Sequence, residues 1–114
     1  MEALFVELPA FERHREAYLD DASFHRLQLV LIADPTAGDV IPGAGGLRKL
    51  RFADERRGKG RRGGLRVIFY YWTGGPQFWL FTVYDKNEMT DLTAKQRQSL
   101  NDALKAELRA RRKS

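Results

Sequence analysis

The chain has 114 residues, 43% of them hydrophobic, with 20 Lys and Arg against 15 Asp and Glu and no cysteine. That length suits one domain over residues 1–114 that folds without staples, and the lack of cysteine excludes disulfides and suits a reducing cytoplasm. No window reaches the ~20 apolar residues of a membrane span, and Met1 to Pro9 lacks the basic start and long apolar core of a signal peptide, so a soluble, cytoplasmic protein without membrane contact is expected.

Ala3 to Leu8 is a short apolar run closed by Pro9, which predicts a first strand. Phe11, Tyr18 and Leu19 then recur at helical spacing among charged residues. Asp20 and Asp21 interrupt, and Phe24, Leu27, Val30 and Leu31 form a second helical stripe that ends before Pro35. A helical hairpin follows from this spacing. Asp34 to Gly46 is dense in proline and glycine and reads as a loop.

Beyond that loop the period changes from helical to alternating. Leu47–Ala53, Leu65–Trp72 and Gln77–Asp85 are rich in apolar, aromatic and β-branched residues and predict three strands. Asp54 to Gly64, with its repelling cations and glycines, connects the first two, and Thr73 to Pro76 is a tight antiparallel turn. Thr93 with Gln96 is a capping-box pattern, after which Leu100, Ala103, Leu104 and Leu108 mark the apolar face of a final helix. Arg109 to Ser114 reads as a fraying tail. The fold class expected is α+β, with two N-terminal helices on a twisted, mainly antiparallel sheet and a C-terminal helix.

Charge is spread unevenly over these elements. Residues 1–45 carry −5, residues 46–72 carry +7 and residues 73–114 carry +3. A basic middle in strand-like, aromatic sequence is the electrostatic footprint of a surface that contacts phosphates. Alternation puts Lys49 and Arg51 on one face of their strand and Leu50 and Phe52 on the other, while Arg66 shares a face with Ile68, Tyr70 and Trp72. Tyr84 lies two residues before Lys86, so extended backbone through Asp85 would project both to one side. Lys49, Arg51, Arg66, Tyr84 and Lys86 can therefore meet. The loop cations Arg56, Arg57, Lys59, Arg61 and Arg62 match neither a P-loop nor a dinucleotide fingerprint, and they either touch phosphates or are merely solvated. His14 and His25 fall on predicted helices, remote in sequence from the cations. No His or carboxylate cluster has metal-ligand spacing, so neither metal nor cofactor is expected.

GGLRKLRFADERRGKGRRGGLRVIFYYW and FWLFTVYDKNEMTDLTAKQ, together with FVELPAFERHREAYLDD and PTAGDVIPGAGGLRK, resemble the bacterial toxins of the RelE/HigB superfamily, the HigB type above all, over nearly the whole chain. The resemblance implies a RelE-like fold and a ribosome-dependent endoribonuclease that cuts messenger RNA in the decoding site. It also implies silencing by a HigA-like antitoxin carrying a helix-turn-helix domain. Residue by residue, the family's basic strand matches Lys49 and Arg51, its strand arginine matches Arg66, and its Y-x-K-N-E segment matches Tyr84, Lys86, Asn87 and Glu88. Asp85 departs from the pattern, which commonly has glycine there.

Within that resemblance Arg66, Tyr84 and Lys86 are the expected catalytic residues, and Lys49, Arg51 and the loop cations the expected RNA and ribosome contacts. Arg66 with Arg51 or Lys49 would hold phosphate oxygens. Tyr84 would either stack on a base or take part in proton transfer, and Lys86 would protonate or stabilise the leaving oxygen. Glu88 serves either as a base or as a brace for the turn after its strand. The residues leave two other classes open: a gyrase-targeting ParE-like toxin of the same general fold, and a nucleic-acid-binding module without turnover.

Overall fold

The computed structural model describes residues 3–54, 64–89 and 91–112, so the loop cations Arg56, Arg57, Lys59, Arg61 and Arg62 lie outside the described residues. The chain runs β1 (Leu4–Glu7), α1 (Pro9–Tyr18), α2 (Asp21–Ala33), β2 (Asp39–Val40), β3 (Arg48–Phe52), β4 (Leu65–Trp72), β5 (Gln77–Asp85) and α3 (Ala94–Arg112). Pro9 ends β1 and also opens α1, where its missing N–H and fixed φ suit a first helical turn. Asp20 caps α2 by accepting the Ser23 N–H at 2.8 Å. At the start of α3 the capping box forms in both directions: Thr93 N–H donates to Gln96 Oε1 at 2.8 Å, and Gln96 N–H donates to Thr93 Oγ1 at 3.1 Å.

Five strands form one sheet in the order β1-β5-β4-β3-β2. β1 runs parallel to β5 and every other pair is antiparallel. Because the neighbour of β1 is β5, α1 is laid alongside β5 although the two are far apart in sequence. Both faces of the sheet are covered. On one, Phe11, Leu27 and Leu31 of the two N-terminal helices, with Leu19 between them, pack on Leu50, Phe52, Leu65, Val67, Phe69, Phe78, Leu80 and Val83. On the other, Leu104 of α3 joins Leu47, Ile68, Trp79, Phe81, Tyr84 and Leu92.

β4 pairs Ile68 with Thr82 but Phe69 with Leu80, so Phe81 is an extra residue and β5 carries a β-bulge. The bulge reverses the side-chain phase of β5. Before it, Phe78 and Leu80 face the N-terminal helices and Trp79 faces α3; after it, Val83 faces the helices and Tyr84 joins the α3 side. With unbroken alternation from Trp79, Tyr84 would point into the helical core.

Three expectations are corrected. The loop from Asp34 to Gly46 contains the two-residue strand β2, paired to β3 through Asp39 with Lys49 and Val40 with Arg48. Gly38, at φ +81°, turns the chain into it, and a Cβ there would run into the Lys49 carbonyl. The second apolar stripe is narrower than expected, since Val30 is 40% exposed while Leu27 and Leu31 are fully buried. The expected fraying tail is helical through Arg112, because the Arg111 guanidinium lies 5.2 Å from the ring centre of Trp79 and 5.9 Å from that of Trp72.

Candidate active site

The strand register lines up three of the expected residues. Arg51 of β3 stands opposite Arg66 of β4, and Arg66 stands opposite Tyr84 of β5. Neighbouring strands lie about 4.8 Å apart, so the three make one row across the α3 side of the sheet. Lys49, two residues back along β3, stands opposite Ile68 on the same side. Lys86 is exposed in the turn that follows β5, and its backbone N–H donates to the Gly64 carbonyl at 3.0 Å.

Exposure grades along the row. Arg51 is exposed, Arg66 is half-buried and Tyr84 is only 6% exposed. Arg66 Nη1 donates to the Leu65 carbonyl at 3.2 Å, which holds the guanidinium back against its own strand. The Tyr84 ring is packed in the cluster with Leu92, and its hydroxyl, fully buried, has no hydrogen-bond partner among the described residues. Burial pushes the Tyr84 phenol above the ordinary tyrosine range. The Arg66 charge pulls the other way, and Asp91 adds to the rise. Tyr84 is therefore a neutral hydrogen-bond donor at neutral pH.

Asp85 is 1% exposed and accepts the Asn87 N–H at 2.8 Å, while its carbonyl accepts from Glu88 and Met89. An acid at this position thus shapes the turn that carries Lys86, a role glycine could not fill through a side chain. Glu88 accepts a 2.7 Å hydrogen bond from the Tyr18 hydroxyl and ties α1 to that turn.

Two hollows flank the row. One is an apolar groove of about 530 Å³ with Tyr84, Glu88 and Leu92 on its walls and His14 of α1 across from them. Sequence distance had set His14 apart from the cations; the parallel pairing of β1 with β5 brings it here. The other, of about 490 Å³, lies among β2, β3 and the start of α3 and is lined in part by Asp39, Lys49, Asp91 and Arg97. Lys49 is not a bare cation, since its Nζ is 3.9 Å from Asp91 Oδ1 and Asp39 stands opposite it on β2. Neither carboxylate is near Lys49 in sequence, which is why alternation along β3 could not show them. Among the described residues no group of three or more His, Cys, Asp or Glu side chains is arranged to hold a metal ion, and no helix is long and apolar enough to cross a membrane.

A mixed, mainly antiparallel sheet with two N-terminal helices on one face and a C-terminal helix on the other is a RelE-like α+β fold. The chain is similar to the free-state structure of a doubly Arg→Ala-substituted Escherichia coli toxin RelE, with a TM-score of 0.51 and 13% identity over 79% of this chain and 90% of that one. No family model matches the chain.

Proposed function

We propose that the protein is the toxin of a type II toxin–antitoxin system, of the HigB type, and that it cleaves messenger RNA in the ribosomal decoding site. The observation that carries this reading is the row Arg51–Arg66–Tyr84, two cations and a neutral phenol aligned by strand register on a RelE-like fold. A ribose 2′-oxygen attacks the adjacent phosphorus, the bond from phosphorus to the 5′-oxygen breaks, and a cyclic phosphate and a 5′-hydroxyl result. Charge accumulates on the non-bridging oxygens as this happens. Arg66 and Arg51 stabilise it, and Tyr84, opposite Arg66 with its hydroxyl buried, backs the row from β5 without touching the oxygens. Lys86, exposed beside the row, delivers a proton to the departing 5′-oxygen.

This set is rich in donors and poor in bases. The lysine and phenol both have reference pKa values of about 10, and Tyr84 lies above that range. Reliance on the ribosome follows, because the decoding site would supply the RNA geometry and the base that the protein does not impose by itself. The loop cations Arg56, Arg57, Lys59, Arg61 and Arg62 belong to the same proposal as ribosome contacts. A HigA-like, helix-turn-helix antitoxin is the proposed partner, and the cytoplasm the proposed place of action.

The test is mapping of 5′ ends on a defined message during in vitro translation with the wild type, with Arg66→Ala and with ribosomes omitted. Cuts within codons that need both ribosomes and Arg66 are expected, with Arg66→Ala slower by about 10²–10³-fold. Intact message beside normal protein synthesis would overturn the reading and direct attention to gyrase. Salt-dependent RNA binding without cuts would mark a binding module.

A further inference from the structure

We propose that the cavity among β2, β3 and the start of α3 is a base-recognition subsite that selects a base carrying an exocyclic amino group over uracil at a nucleotide next to the scissile phosphate. The proposal rests on the nuclease reading above. Its volume of about 490 Å³ falls in the range of small-ligand pockets, about 300–1,000 Å³. Lys49 on its wall is two residues from Arg51 on the same face of β3, a step of about 6.7 Å. A phosphate held at the Arg51–Arg66 row would thus place an adjoining base at the cavity mouth.

Charge decides which part of the nucleotide enters. The lining has two cations, Lys49 and Arg97, and two carboxylates, Asp39 and Asp91, so it is balanced and does not attract a phosphate as the row does. The carboxylates are the adaptable acceptors. Asp91 keeps 75% of its side-chain exposure and its pairing with Lys49 is loose at 3.9 Å, an arrangement of little intrinsic strength that a ligand can replace. Arg97 is already committed, since its Nη1 donates to the Leu92 carbonyl at 2.8 Å. Two carboxylate acceptors suit the two N–H donors of an amino group such as N4 of cytosine or N6 of adenine. Uracil offers one N–H between two carbonyls, which a carboxylate repels.

Two measurements test this. In the translation assay, messages differing only by C or U at each position around the cut are compared for the wild type and for Asp39→Asn with Asp91→Asn. One position should favour C about tenfold in the wild type and lose that ratio in the double variant; no preference, or one that survives the double variant, overturns the subsite. Separately, cytidine 5′-monophosphate and uridine 5′-monophosphate are titrated into the free protein by NMR, without ribosomes. Cytidine should shift the amides of Val40, Ile41 and Leu92 in the wild type and not in the double variant, whereas equal or absent responses to both nucleotides overturn the subsite. Absence of ribosome-dependent cuts removes the nuclease reading and with it the placement beside a scissile phosphate, while the titration decides by itself whether the cavity discriminates the two bases.

Discussion

Replacing Tyr84 by phenylalanine removes one oxygen and separates activity from stability. The hydroxyl is fully buried with no hydrogen-bond partner among the described residues, and an unsatisfied buried polar group costs about 1–3 kcal/mol. Deleting it leaves the ring and its packing with Leu92 intact. Tyr84→Phe should therefore be more stable than the wild type by about 1 kcal/mol, a rise in Tm of about 4 °C for a domain near this size. If the chain is the proposed nuclease, cleavage should stay within about tenfold of the wild type, since the buried hydroxyl does not touch the phosphate. Urea unfolding at equal m-value gives the first quantity and single-turnover cleavage the second. Because the folded protein holds the phenolic proton more tightly than the unfolded chain, the wild type should also lose stability relative to Tyr84→Phe as pH climbs past about 10, with no difference in slope below. A variant destabilised by about 1 kcal/mol would show that the hydroxyl is bonded, and would refute the reasoning that it is buried without a partner.

Asp20→Ala should lower stability at neutral pH through loss of the α2 cap. Hydrogen bonds from the Ser23 backbone and then its side chain hold the Asp20 carboxyl below the usual range, so the deficit should close as pH falls through that lowered value, as acid titrations of both proteins will show. Gly38→Ala should cost about 2 kcal/mol in urea unfolding, from positive φ and collision with the Lys49 carbonyl. Leu104→Ala, at a position only 1% exposed, should cost about 3 kcal/mol by the same assay, since it opens a cavity under α3.

The alternation of Leu47–Ala53 and the aromatic run Leu65–Trp72 made β3 and β4 legible, as Thr93 and Gln96 did the start of α3. β2 was not legible, because two residues inside a proline- and glycine-rich stretch have no period to detect. Nor was the bulge: Phe78, Trp79, Leu80 and Phe81 are all apolar, so a phase change among them leaves no mark in a hydrophobic pattern. The cations of the row could be placed on one face from spacing, but their alignment required the register. The carboxylates around Lys49 come from β2 and from the segment before α3, so only tertiary structure joins them. Arg111 read as tail because its partners, Trp72 and Trp79, are distant in the chain.

Those two indoles have a spectroscopic consequence. They are the chain's full tryptophan complement, they stack with ring centres 5.6 Å apart, and the Arg111 guanidinium closes over them from the last turn of α3. Intrinsic emission and the near-ultraviolet dichroism of the coupled pair thus report the seating of the C-terminal helix. Lifting α3 would strip the cation from both rings and admit water, a change readable without a label. A partner that leaves the helix docked would leave this signal unchanged, so one cuvette experiment sorts partners by whether they move it.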